Sequence, residues 1–211
     1  MSEPVCAGDI DERVFLEVLA ETVETLDEEG LPYVLIGGIA SAVLGRPRWT
    51  HDIDVFVKPE DARRVLEVLA ERGFGVEETF ADWLFKGFKK EVLVDVIFRV
   101  YKIYLDDEMI SRAVMAEFKG RRVRIVPPED LLVMKALVAD EHMPRHWHDA
   151  LGLVGSCPLD WDYVERRAKQ YAARRVLSLL VYADSSDIVV PARPVHRLFE
   201  AIYGGPPVSD V

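Results

Sequence analysis

The 211-residue sequence has only two cysteines, Cys6 and Cys157. Two thiols cannot build a cysteine cage for a metal, and their spacing is no CxxC redox pair, so reduced thiols in a cytoplasmic protein are expected. No apolar run approaches the roughly 20 residues needed to span a bilayer. The N-terminal stretch lacks the basic and then apolar order of a signal peptide. A cytoplasmic protein with no membrane partner is therefore expected. Internal repeats and low-complexity tracts are missing as well, which excludes solenoids and disordered arrays.

What is present is a chain 50% hydrophobic and 30% charged. That is enough apolar material to offset the entropy of ordering, and the length suits one domain with room for a small appendage. The formal charge of −11 is unevenly spread. Residues 1–30 hold ten Asp/Glu and one Arg, a balance of −9, whereas residues 31–211 hold twenty-seven acids and twenty-five bases, a balance of −2. Net acidity therefore does not exclude a nucleotide or nucleic-acid partner for the larger part of the chain.

Apolar residues at helical spacing predict an amphipathic helix over residues 10–28, stopped by Gly30. A short buried strand at 33–36 is broken by Gly37-Gly38 and followed by a short helix at 39–44. A strand at 53–57, a helix at 60–72 and a β-hairpin at 83–88 and 91–99 come next. A helix near 106–117, a strand at 123–126 and a helix at 128–139 follow. From 145 onward the pattern is helical, ending in a Pro-rich stretch with Gly204-Gly205-Pro206-Pro207. Strands mixed with helices, then a helical tail, indicate an α/β fold with an appended C-terminal helical region. Three segments result: an acidic N-terminal helix (1–30), a core (31–127) and a helical C-terminal region (128–211).

Asp52 and Asp54 are two residues apart at the head of a strand, which puts both carboxylates on one face. Adjacent like charges repel unless a cation sits between them, and Mg²⁺ is a hard ion that takes oxygen ligands. A solvated acidic turn is the alternative. Gly37-Gly38, between a buried strand and a helix, would let backbone N–H groups approach phosphate oxygens. Asp95 interrupts the apolar run Val92–Phe98. An ionised carboxylate there needs a metal or a core salt bridge to an arginine. Lys135 lies in the apolar run of 128–139, where it meets an anion or snorkels outward. His142, His146 and His148 invite a zinc reading, but Pro144 interrupts them and no further ligand pattern follows, so a polar turn is expected. Lys89-Lys90, Arg121-Arg122, Arg166-Arg167-Lys169 and Arg174-Arg175 could track a phosphate backbone or form solvated faces.

Gly37-Gly38, a short helix, the alternation Ile53, Val55 around Asp52 and Asp54, and Asp95 on a later strand together resemble the DNA-polymerase-beta-like nucleotidyltransferases. Gly45-Arg-Pro-Arg-Trp-Thr-His-Asp-Ile-Asp54 resembles, more narrowly, the minimal nucleotidyltransferases of the abortive-infection and type IV toxin class. The resemblance implies a mixed β-sheet flanked by helices. It implies that Gly37 and Gly38 hold a nucleoside triphosphate, and that Asp52, Asp54 and Asp95 ligate two Mg²⁺ ions. Asp95 would also act as, or position, the base. Arg48 and Thr50 match the family's basic and hydroxyl positions, and Lys135 its nucleotide-contacting lysine. Arg145-His146-Trp-His-Asp149 fits a later family motif with His146 at the Asp-or-His position. The implied reaction transfers a nucleoside monophosphate from NTP to tRNA or a partner protein, with a cognate antitoxin as a further partner. The core also resembles aminoglycoside and lincosamide adenylyltransferases, and a non-catalytic module that binds nucleotide or a partner is the remaining alternative.

Overall fold

The computed structural model of the protein describes residues 11–204; Cys6 and Gly205-Pro206-Pro207 lie outside them. Helix α1 (Glu12–Glu28) starts where the Asp11 carboxylate accepts the Arg13 N–H at 2.8 Å, an N-cap that satisfies one orphan donor. Phe15, Val18, Leu19 and Leu26 line its inner face and are almost wholly buried. Four acids of this segment form surface ion pairs. Glu17 pairs with Lys90 at 2.8 Å, Glu21 with Lys89 at 2.5 Å, Glu29 with Arg64 at 2.8 Å, and Glu28 with Arg72. Lys89 and Lys90 therefore hold α1 rather than a phosphate backbone.

Strand β1 (Tyr33–Leu35) is followed by α2 (Gly37–Leu44), β2 (Asp52–Val57) and α3 (Ala62–Glu71). An antiparallel meander of β3 (Gly75–Phe80), β4 (Leu84–Lys89) and β5 (Val92–Ile97) comes next. Then come α4 (Asp107–Ser111), β6 (Val114–Phe118) and β7 (Arg121–Ile125). The remaining helices are α5 (Pro128–Val138), α6 (Arg145–Ser156), α7 (Trp161–Tyr171), α8 (Ala173–Ser185) and α9 (Ala192–Tyr203). The seven strands form one mixed sheet in the order β3-β4-β5-β2-β1-β7-β6. β2 runs antiparallel to β1 and parallel to β5, and β1 runs parallel to β7. This is the α/β class with a helical tail expected from the sequence.

Three local expectations are corrected. The helix expected near 106–117 stops at Ser111, and residues 114–118 form β6. Burial alternates along that strand, with Met115 and Glu117 exposed between better covered neighbours, as a sheet edge allows. β3 has no counterpart in the sequence reading because nearly all its residues are exposed, which erases the apolar alternation that marks a strand. The Pro-rich C-terminal stretch contains α9. Pro191 precedes that helix and Pro194 falls in its first turn, where a missing N–H costs no intrahelical bond.

Helix α5 is buried nearly all round and carries Glu129, Asp130 and Lys135 into the interior. Asp130 accepts hydrogen bonds from Arg167 Nε and the Tyr163 hydroxyl, each at 2.6 Å. Arg167 also reaches Asp106 at 2.8 Å. Nearby, Arg166 pairs with Glu108 and Lys169 with Glu165. The basic cluster of α7 is thus engaged within the protein, where it ties α7 to α5 and to the start of α4.

Candidate active site

The parallel register of β2 and β5 sets Asp54 directly opposite Asp95 and Asp52 opposite Leu93. Asp52 and Asp54 share a face through the two-residue period of the strand. One oxygen from each of Asp52, Asp54 and Asp95 lies within 4.8 Å of the others. Among the described residues no other three His, Cys, Asp or Glu side chains converge in this way.

Each carboxylate is held from behind. Thr50 donates its hydroxyl to Asp52 Oδ1 at 2.5 Å, and the Gly38 N–H points to Asp54 Oδ2 at 3.4 Å. β4 sets Lys86 beside Asp95, with its ammonium 3.3 Å from Oδ1. Asp95 is therefore paired with a lysine, not with an arginine. That oxygen is buried and meets the Lys86 ammonium as an ion pair rather than through a well-aligned hydrogen bond. Burial pushes Asp54 up to about 7, helped by the charges of Asp52 and Asp95 and opposed by Lys135. Burial also raises Asp95, against the pull of Lys86. Three carboxylates crowded at this cost suit a divalent cation, whose charge offsets their mutual repulsion.

Gly37 and Gly38 form the first turn of α2. Gly37 has φ +61°, and a Cβ there would lie 1.7 Å from Asp54 Oδ2; a Cβ on Gly38 would lie 2.1 Å from Thr50 Oγ1. The glycine pair thus lets the start of a helix close onto the acidic strand, with its backbone N–H groups beside the carboxylates. Gly45 and Gly152 make a second close approach, since a Cβ on Gly45 would lie 2.9 Å from the Gly152 backbone. That contact brings α6 against the loop after α2.

The same contact places Asp149 of α6 behind the site. Its fully buried carboxylate accepts from Arg48 Nε at 3.2 Å and Nη2 at 3.1 Å, and from Lys135 Nζ at 3.1 Å. Burial alone would raise the Asp149 carboxyl, but hydrogen bonds from Arg48 and the charge of Lys135 outweigh it and hold it below the carboxylate range. Lys135 is 5% exposed and does not snorkel; burial lowers its pKa, against Asp149. Arg48 is partly buried rather than a free surface charge.

All eight residues singled out in the sequence line one cleft of about 770 Å³: Gly37, Gly38, Arg48, Thr50, Asp52, Asp54, Asp95 and Lys135. His146 joins them, 3.4 Å from Lys135. Burial pushes its imidazole down to about 4, aided by the charges of Lys135 and Arg145, so it is neutral. His142 and His148 line a different cavity from His146. The sequence reading did not assign a role to Asp149, although a carboxylate on the buried face of α6 beside Ala150 and Leu153 is a signal that it has buried partners. It also passed over the cleft residues Trp49, Trp83, Arg99 and Tyr101.

Residues 15–173 match the model of a family described as nucleotidyl transferase of unknown function (DUF2204). The chain belongs to this nucleotidyltransferase family. Two solved nucleotidyltransferase-type structures resemble it. The antibiotic-resistance factor ANT(2'')-Ia is 20% identical with a TM-score of 0.53, over 83% of this chain and 94% of that one. An antigenic nucleotidyltransferase-like protein from Paracoccidioides brasiliensis is 14% identical with a TM-score of 0.54, over 89% and 93%. At these identities the likeness is one of fold. No curated protein matches the chain. No helix of this nucleotidyltransferase, among the described residues, is long and apolar enough to cross a membrane.

Proposed function

We propose that this nucleotidyltransferase moves a nucleoside monophosphate from NTP to an acceptor hydroxyl in a Mg²⁺-dependent reaction, with an RNA such as tRNA as acceptor. The observation that carries the metal dependence is the convergence of Asp52, Asp54 and Asp95 within 4.8 Å. These three side chains would hold the ions. When bound, Mg²⁺ neutralises phosphate charge and lowers the pKa of an attacking hydroxyl.

The chain's own residues do the rest. The first-turn N–H groups of α2, at Gly37 and Gly38, and the cations Arg48 and Lys135 bind and orient the triphosphate. Asp149 keeps both cations in place. The acceptor oxygen forms a bond to the α-phosphorus as the bond to the β-phosphate oxygen breaks. Pyrophosphate leaves with that electron pair, and the hydroxyl proton passes to Asp95. Fixed charges in the cleft stabilise the transferring phosphoryl group without reorganising.

The charge of the cleft supports an anionic acceptor. Apart from the three aspartates no lining residue carries a carboxylate, whereas Arg48, Arg99, Lys135 and Arg145 carry cations. An aminoglycoside, the kind of acceptor suggested by the likeness to the resistance factor, is the second reading that the test separates. A toxin-like role with a cognate antitoxin is supported by the motif from Gly45 to Asp54. The test incubates the purified protein with each α-labelled NTP and Mg²⁺, adding total tRNA, aminoglycosides or no acceptor. Label is expected on RNA and is lost in Asp52→Asn and Asp54→Asn. Label on an aminoglycoside overturns the acceptor, label on the protein itself or on a partner protein replaces it, and NTP binding without transfer marks a non-catalytic module.

A further inference from the structure

The cleft also carries side chains that the site described above does not use. β5 ends at Ile97 and the chain runs on through Phe98 to Arg99; Asp95, Ile97 and Arg99 all line the cleft. Fully extended, the chain from Asp95 to Arg99 spans at most about 13 Å, the reach of about two nucleotides. Trp83 and Tyr101 line the same end. Trp83 follows the turn between β3 and β4, and its ring stacks on Phe80 with centroids 5.4 Å apart and planes 17° from parallel. Both rings keep much of their surface exposed. Tyr101 is 66% exposed and sits at φ +56°, a conformation costly for an aromatic residue. It is held there by two hydrogen bonds between Val100 and Ile103, at 3.0 and 2.9 Å. The turn thus carries the ring outward, where the core does not use it.

We propose that Trp83, Tyr101 and Arg99 form the acceptor subsite, and that its ligand is the unpaired end of a single-stranded RNA. The proposal rests on the nucleotidyl-transfer reading above and names where the acceptor enters. Aromatic rings accept any base by stacking, and a neighbouring arginine takes the phosphate between stacked bases. Arg99 is now paired with Asp82. That pair is partly exposed, so exchanging the Asp82 carboxylate for a phosphate oxygen costs little. With the terminal hydroxyl at Asp95, the preceding nucleotides run outward past Arg99 to the rings. A paired duplex end cannot present its bases to this platform, so single-strandedness is part of the recognition.

Binding separates this subsite from the chemistry. The probe is a 3′-fluorescein-free, 5′-labelled 12-nucleotide RNA of mixed sequence, measured by anisotropy in Mg²⁺ without NTP. A blunt RNA hairpin, single-stranded DNA of the same sequence and tobramycin serve as competitors. Trp83→Ala and Tyr101→Ala should each weaken RNA binding by about tenfold, the loss expected for one base–aromatic stack. NTP affinity, measured separately, should be unchanged. Trp83→Phe should retain RNA affinity but lose the RNA-induced quenching of tryptophan emission, which distinguishes stacking from a folding defect among the four tryptophans. The hairpin should not compete, and DNA competing equally would widen the ligand to any single strand and overturn the RNA restriction. Unchanged RNA affinity in both alanine variants overturns the subsite, as does a loss confined to NTP binding, which would make the rings a nucleobase site. Displacement of RNA by tobramycin assigns the subsite to an antibiotic instead. If RNA binds through these residues but no NTP is turned over, the transfer reading fails while the subsite stands.

Discussion

The ammonium of Lys135 lies 3.1 Å from a carboxylate oxygen of Asp149, and neither side chain reaches solvent to any extent. Arg48 closes on the same carboxylate. One buried anion therefore holds two cations that face the cleft. Removing it leaves two like charges with no partner, and breaking a buried pair in this way costs about 3 kcal/mol or more. Asp149→Ala should lower the urea midpoint accordingly and raise the KM for NTP. Asp149→Leu combined with Lys135→Met should recover most of the stability and none of the turnover. Recovery of both would reduce Asp149 and Lys135 to a structural pair.

Gly37→Ala should abolish turnover, because the added Cβ meets Asp54 at 1.7 Å and the backbone is at φ +61°. Overpacking and strain together predict a loss of roughly 1–3 kcal/mol in a thermal melt. Gly73→Ala is the control. Gly73 has φ +79° with nothing within 4 Å, so it bears the backbone cost alone and should keep full activity. Equal activity of the two variants would show that the approach of α2 to Asp54 is immaterial.

Metal and proton compete at Asp54. Its carboxyl is pushed up to about 7 in the fold by burial and by Asp52 and Asp95, whereas in the unfolded chain it has an ordinary carboxylate pKa of about 4. The folded protein thus holds this proton more tightly than the unfolded chain. The associated stability is complete below the ordinary carboxylate pKa and is lost as pH rises through about 7. Metal-free protein should therefore melt lower at pH 8 than at pH 6. A cation that replaces the proton reverses the penalty, so added Mg²⁺ should raise the melting temperature more at pH 8. Asp54→Asn should remove most of this pH dependence. An identical Mg²⁺ shift at both pH values, with wild type and variant alike, would argue that no metal binds at Asp54.

Helix α1 is anchored by its apolar face rather than by its charges. Leu19 is fully buried, and Leu19→Ala should cost about 2–5 kcal/mol through the cavity it leaves. Glu17→Gln breaks a pair whose partners are both more than half exposed, and it should leave the denaturation midpoint within error of the parent. A larger loss from Glu17→Gln than from Leu19→Ala would invert this account.

The features that could be read along the chain are those set by near neighbours. The two-residue period placed Asp52 and Asp54 on one face, helical spacing picked out the buried side of α1, and Asp95 stood out as a charge within an apolar strand. The edge strands β3 and β6 escaped because one or both of their faces meet water, so no apolar alternation marks them. Asp149 escaped for a different reason: its partners Arg48 and Lys135 lie 101 and 14 residues away.

The amino-acid sequence by itself determined the chemistry on offer: three strand carboxylates, a glycine pair and a buried-run lysine. It also determined the elements that carry them, because periodicity and turn chemistry act over a few residues. Tertiary structure alone decided that these groups meet. The parallel register of β2 against β5 sets Asp54 opposite Asp95, and the Gly45–Gly152 contact brings Asp149 behind Arg48. It also set carboxylates of the acidic N-terminal segment beside Lys89, Lys90, Arg64 and Arg72 in surface pairs. Charge pairing and strand register are long-range, since they depend on which surfaces the folded core presses together.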